Sequence, residues 1–333
     1  MTRSFIAPRM IADIGGTNAR FALLDGMERR DEVVLTCADY PDLVSAAEEY
    51  LKRVGANKNS RPSEAALAIA GPVTGDIVRM TNHVWQFSAA HTRQQLELRR
   101  LIVLNDFTAL AMAVRHLKEA DLEQVGGGRA APNMPIAVIG PGTGLGVSGL
   151  IPTGEPGNQQ WIPLQGEGGH VTLSVMTERE RAVLKQLQLR FSHVSAERVL
   201  SGPGLVTLYD ALCSVEGVVP EALTPPDVTK KAQDGSCRLC AEAVSMFCAL
   251  LGTMASNLVL TLGALGGVYI GGGIAPGLGR LFTTSLFRDR FEDKGRFADY
   301  VSRVPTFVIR AELPALLGLA SAFTEPGPRL EAD

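Results

Sequence analysis

Apolar and polar positions alternate at two scales along this chain. Met10–Ile14 and Ala19–Asp25 are short, largely apolar runs flanking Gly15-Gly-Thr-Asn18. Runs of strand length on either side of a Gly-Gly turn predict a β-hairpin. A third strand is expected over Val33–Cys37. Asp42–Arg53 then takes helical spacing, with Leu43, Ala46, Ala47, Tyr50 and Leu51 on one face. Ala65–Ala70 is apolar throughout, the mark of a strand buried on both sides. Ser88 is placed to cap a short helix ahead of a strand over Leu101–Leu104, and an apolar helix is expected over Thr108–Leu117.

The order then begins again. Pro135–Ile139 predicts a strand, Gly140-Pro-Gly-Thr-Gly144 a turn and Leu145–Ile151 a second strand. Thr177-Glu-Arg-Glu180 is a capping-box pattern for a helix reaching about Phe191. A long helix over Ala241–Leu262, a strand over Gly267–Ile270 and a Gly271-Gly-Gly273 turn complete the second half. Strand–glycine turn–strand near the start and again in the middle predicts a duplicated architecture. Its expected form is two α/β lobes with a ligand cleft between them.

Composition narrows the classes. The 333 residues are 46% apolar and 20% charged, which excludes disorder as the main state and allows two or three domains. Lys+Arg 32 against Asp+Glu 35 leaves −3, too balanced for a dedicated binder of nucleic acid or anionic membrane. No charge falls between Glu242 and Arg280, but Thr253, Ser256, Asn257, Thr261 and many glycines interrupt that stretch. A buried helix followed by a buried strand accounts for it better than a membrane span. Five scattered cysteines, an odd number, argue against a disulfide framework and for a cytoplasmic location. Residues 1–10 include Arg3 and Arg9 but no apolar core, so no signal peptide is read there.

Several signatures are absent or fail on context. No Gly-Lys dipeptide occurs, so there is no Walker A loop. Gly144-Leu-Gly146-Val-Ser-Gly149 runs into a strand and not a helix, against a Rossmann reading. Cys237-x-x-Cys240 lacks a second pair at zinc spacing and is taken as structural.

What remains is glycine-rich turns and polar clusters. Asp13-Ile14-Gly15-Gly16-Thr17 sets a carboxylate at the end of a strand beside residues without a Cβ. Backbone N–H groups in such a turn can form an anion nest for phosphate. Asp13 would repel phosphate directly, so its useful role is to hold Mg²⁺ through water; a plain hairpin turn is the alternative. Gly142, Thr143 and Gly144 repeat the turn chemistry without the acid. Two facing nests would hold a polyphosphate from two sides. Asn105-Asp106 follows a buried strand, where open α/β sheets place ligands, although capping the next helix would also explain Asp106. Glu167 and His170, framed by glycines, suit a binding loop better than a core. Glu197 starts an expected helix, where dipole stabilisation is the alternative.

These residues carry a family resemblance. IADIGGTNARFALLD (11–25), AIAGPVTGD (68–76), MTNHVW (80–85), LNDFTA (104–109), GPGTGLGV (140–147), GEGGH (166–170), HVSAERVLSGPGL (193–205), GGVYIGGGI (266–274) and FEDKGRF (291–297) resemble bacterial glucokinases of the hexokinase/actin-like superfamily. The resemblance spans nearly the whole chain. It implies an α/β protein of two actin-like, ribonuclease-H-like lobes, expected as 1–112 with 311–333 and 113–310. It also implies ATP with Mg²⁺ as donor, glucose phosphorylated at its 6-hydroxyl, and a homodimer. Ala12, Asp13, Ile14, Gly15, Gly16 and Thr17 fall in the first phosphate loop. Gly142, Thr143 and Gly144 fall in the second, and Gly272 lies on the adenosine side. Asp106 is the implied base, and Asn105, Asp106, Glu167, His170 and Glu197 the implied sugar set. Gln165 departs from the pattern, standing where proline is expected before GEGGH. A kinase of another hexose is the alternative.

Overall fold

A computed structural model of the protein describes residues 8–57, 60–81, 83–155, 158–325 and 330–332. Residues 1–7, within the stretch read for a signal peptide, and Asn82 of the MTNHVW motif lie outside these. The first part of the chain runs β1 (Arg9–Ile14), β2 (Asn18–Asp25), β3 (Glu28–Thr36), α1 (Leu43–Arg53), β4 (Glu64–Ile69), β5 (Ile77–Arg79), β6 (Gln86–Ser88), α2 (Ala89–Gln95), β7 (Arg100–Asn105) and α3 (Asp106–Ala113). The middle runs β8 (Leu122–Val125), β9 (Ile136–Pro141), β10 (Leu145–Thr153), β11 (Gln160–Leu164), α4 (Glu178–Gln188), α5 (Gly202–Glu216), α6 (Pro225–Gln233), α7 (Arg238–Leu262) and β12 (Val268–Ile270). Then come α8 (Ile274–Leu278), α9 (Arg280–Thr283), α10 (Phe287–Glu292), α11 (Ala298–Ser302), β13 (Thr306–Ile309), α12 (Pro314–Ser321) and β14 (Leu330–Ala332).

The chain divides into two compact units. The first comprises 1–117, 152–165 and 311–333; the second comprises 118–151 and 166–310. The expected boundary at 112/113 therefore moves. The 3₁₀ turn Val114–His116 continues α3, and Arg115 places its guanidinium 5.2 Å from the centre of the Trp161 ring on β11. These contacts keep 113–117 and 152–165 with the first unit.

In the first unit one sheet has the order β14-β7-β4-β1-β2-β3. β1 is antiparallel to β2 but parallel to β4, and β4 is parallel to β7. The sheet is covered on both faces, which explains the unbroken apolar runs. On β4, Ala65, Leu67 and Ile69 join the core that holds Tyr50 and Leu51 of α1, while Ala66 and Ala68 join the core of α3 and α12. Gly318 of α12 rests against the Ala109 carbonyl of α3, where a Cβ would overlap it. Ser88 caps α2 through its side chain, as the sequence predicts, and Asp42, expected as the first helical residue, instead caps α1.

The second unit repeats the scheme. Five strands run in the order β10-β9-β12-β13-β8; β9 and β10 form a hairpin, and β12 and β13 run parallel to β9. The edge strand is antiparallel in both units, β14 on β7 and β8 on β13. Thr177 and Glu180 make the expected capping box on α4. The apolar stretch after Glu242 lies in α7, which is long and apolar enough to cross a membrane. However, 83% of its most hydrophobic window is buried inside the structure, so it is a core helix. It starts three residues before the expected Ala241 because the Cys237 sulfur accepts the Cys240 N–H (3.3 Å) as the cap. That gives Cys237 and Cys240 a structural position.

Candidate active site

In the first unit the candidate residues gather at one sheet edge. Ile14, Ile69 and Asn105 are register partners across β1, β4 and β7, at the ends of three parallel strands. The first glycine turn and Asn105-Asp106 thus emerge from the same edge, two strand spacings apart, roughly 10 Å. The Gly15 N–H closes onto the Asn18 carbonyl (2.9 Å), which removes it from any anion nest and leaves Gly16 and Thr17 as that turn's candidate donors. Cys37 fastens the turn from behind. Its N–H donates to the Thr17 carbonyl (2.8 Å) and its thiol to the Gly15 carbonyl (3.4 Å). No sequence signal marked Cys37; a buried thiol at a strand end reads as ordinary packing.

Asp13 faces Arg20 across the hairpin, with the guanidinium 3.4 Å from Oδ2. Burial pushes the Asp13 carboxyl above its ordinary value, and the Arg20 charge only partly opposes this. The N-cap of α3 is Asn105, while Asp106 Oδ1 shares the Phe107 N–H (2.9 Å). Asn105 Oδ1 accepts from the N–H groups of Phe107 (2.9 Å) and Thr108 (3.2 Å), and its amide donates to the Gly71 carbonyl (3.1 Å). Asn105 therefore locks the strand-to-helix corner. Asp106 is the first residue of α3, where the positive end of the helix dipole faces a carboxylate.

In the second unit, β9 and β12 pair in register as far as Ile139 and Ile270 and lead into Gly142–Gly144 and Gly271–Gly273. Gly272 has φ +73° and sits so close to the Pro141 carbonyl that a Cβ would overlap it. Gly142 N–H closes onto the Gly144 carbonyl (2.8 Å), so it too is withdrawn from a nest. The glycines of GEGGH have packing reasons: a Cβ on Gly169 would strike the Leu145 carbonyl, and one on Gly168 the Val147 side chain. The loop is stitched to the next segment by Leu173 N–H to the Val194 carbonyl (3.0 Å) and Ala196 N–H to the Val171 carbonyl (2.9 Å).

This brings Glu167, His170 and Glu197 into one row. His170 Nε2 lies 3.9 Å from Glu167 Oε2, and Nδ1 lies 3.8 Å from Glu197 Oε1. Glu167 and His170 are more than half exposed, which leaves their polar atoms open to a ligand. His193 Nε2 is 3.2 Å from the His170 carbonyl oxygen and steadies the loop. Glu197 does not start a helix as expected. It sits in the 3₁₀ turn Ala196–Arg198, and α5 begins later, capped by Ser201.

A sequence model described as Glucokinase matches residues 10–326. The chain belongs to the glucokinase family. A glucokinase from Aromatoleum aromaticum is 51% identical over 317 residues, covering 95% of this chain and 94% of that protein. The crystal structure of a glucokinase from an Antarctic psychrotroph superposes with a TM-score of 0.84 at 35% identity, covering 95% of this chain and 98% of its own. A glucokinase from Streptomyces griseus, solved with glucose and AMPPNP, shares the fold at TM-score 0.62 and 17% identity, covering 95% of this chain and 99% of its own. Glucokinase-family membership and the expected actin-like fold class are thereby established for this chain.

Proposed function

We propose that this protein is a glucokinase that transfers the γ-phosphoryl group of ATP to the 6-hydroxyl of D-glucose. The observation that supports it most is the row Glu167–His170–Glu197, assembled from two separate loops beside the Gly142–Gly144 turn. Glucose is neutral and rich in hydroxyl donors, and carboxylates accept such donors with charge-assisted strength. Asn105 holds the corner from which Asp106 projects and keeps one amide N–H for the sugar. Asp106 takes the proton of the attacking hydroxyl as the phosphoryl group transfers, leaving glucose 6-phosphate and ADP. The turns Ala12–Thr17 and Gly142–Gly144, with Gly272, receive the nucleotide.

Asp13 suits a magnesium ion. It is a hard oxygen donor, largely buried, with Arg20 at 3.4 Å as partial countercharge, and a nearby cation would favour its ionised form. Mg²⁺ there would neutralise the charge on the transferring phosphates. Asp13 would hold that ion through water. The odd number of cysteines, five scattered along the chain, supports a reducing, cytoplasmic setting. The homodimer is carried forward from the family likeness, to be checked by light scattering.

A coupled ADP-release assay over glucose, mannose, fructose and N-acetylhexosamines tests the reading. Glucose should give the highest kcat/KM with MgATP. A higher value for another hexose would reassign the substrate, and no turnover with any sugar would overturn the kinase reading.

A further inference from the structure

Glu197 makes a contact that its proposed sugar role does not require. Its Oε2 accepts the Leu145 N–H at 2.8 Å, at the foot of the Gly142–Gly144 turn, while Oε1 faces His170. The same short segment grips the other end of that turn, since Gly202 N–H donates to the Gly142 carbonyl at 2.8 Å. Ser201 ties the two grips together. Its hydroxyl donates to the Glu197 carbonyl (2.8 Å) and accepts the Gly204 N–H (3.0 Å). The fit is tight at one point: a Cβ on Gly144 would overlap Glu197 Oε2, whereas one on Gly142 would enter open space.

We propose that Glu197 is a positioning residue of the second phosphate loop as well as a sugar ligand, so that the loop's shape sets glucose affinity even when no nucleotide is bound. The inference rests on the glucokinase reading and deepens it. Two effects give the coupling its sign. Sugar hydroxyls donating to Oε1 spread the carboxylate's negative charge, which otherwise lies one residue from the turn that receives phosphates. They also hold the carboxylate still, so the turn it anchors arrives partly ordered for the second ligand. Glucose and nucleotide should therefore strengthen each other's binding, each by the same factor.

Calorimetry on the full chain with glucose and with AMPPNP–Mg²⁺, separately and together, reads that factor. The expected value is at least ~5-fold, the lower end of common couplings. Gly144→Ala should weaken glucose binding several-fold in the absence of nucleotide, because the new methyl group displaces the carboxylate. Gly277→Ala on α8, where a Cβ would enter open space, should leave glucose affinity at the wild-type value. A coupling factor of one in an enzyme that phosphorylates glucose would overturn the proposal and leave the kinase reading standing. Equal glucose affinities for Gly144→Ala and wild type would overturn it as well. If Gly144→Ala fails a thermal-melt check of folding, the wild-type coupling measurement still decides.

Discussion

The two glycine turns sit on the same scaffold, a hairpin whose first strand also pairs in parallel with a later one, yet they are fastened differently. In the first unit, support is local. Asp13 and Arg20 face each other across one hairpin, and Cys37 lies at the end of the next strand along. In the second, the fastening acid comes from 52 residues away, because Glu197 reaches back to Leu145. The duplicated backbone thus supplies only the turn. What surrounds each turn differs, and the proposed function assigns the acids at the edge of the first sheet to chemistry and the acids flanking His170 in the second to recognition.

The largest effect should come from Asp106. Asp106→Asn keeps the size but removes the base, so kcat in a coupled assay should fall ~10²–10⁴-fold. Glucose affinity by calorimetry should weaken much less, by ~1–3 kcal/mol at most. Retention of more than about a tenth of kcat, well above the residue a general base leaves, would remove Asp106 from that role. Glu167→Gln and His170→Ala should behave the opposite way, each weakening glucose about tenfold (~1.4 kcal/mol) with a smaller change in kcat. If these variants lose kcat and not affinity, the division of labour between the units is wrong.

Smaller effects sharpen the contrast between local and remote support. Cys37→Ala should raise the KM for ATP and lower the melting temperature by roughly 2–4 °C, for about 1 kcal/mol of lost bonding and packing. Cys37→Ser, which retains a donor to the Gly15 carbonyl, should recover part of both. An unchanged KM for ATP in Cys37→Ala would show that the thiol does not hold the turn. The subtlest test concerns Asp13. Its carboxyl value is raised in the folded state, so its stabilising contribution is complete below the unfolded value near 4 and is lost as pH rises through the folded one. Without ligands, Asp13→Asn should therefore melt above wild type at neutral pH, with the gap shrinking toward pH 4.5. A gap that widens on acidification would contradict the buried-charge account.

Much of this was legible because local chemistry agreed with the fold. Asp42, Ser88 and the Thr177–Glu180 pair mark helix starts by a mechanism that acts within four residues. β3 begins at Glu28, five residues before the expected Val33, because an exposed edge of charged residues carries no apolar alternation. β5 and β6, three residues each, are too short for a periodic signal. The site's residue types were readable from their motifs, but their wiring was not. Asn105 and Asp106 are adjacent letters, and only geometry shows which caps α3. The bond between Glu197 and Leu145 joins two segments with no shared period.

The close seat of Gly318 against Ala109 bears on the order in which the protein is made. The middle of the chain builds the second unit, while α12 and β14, which finish the first unit's sheet and cover its α3 face, follow it. About 200 residues separate the end of α3 from the start of α12. At ~5–20 residues per second, the ribosome takes on the order of ten to forty seconds to cross that interval. Throughout it the β7 edge stands unpaired and one apolar face of the first sheet lacks α12. The unit that begins first is therefore completed last, and the nascent chain must keep that strand edge from other partners until the second unit has emerged.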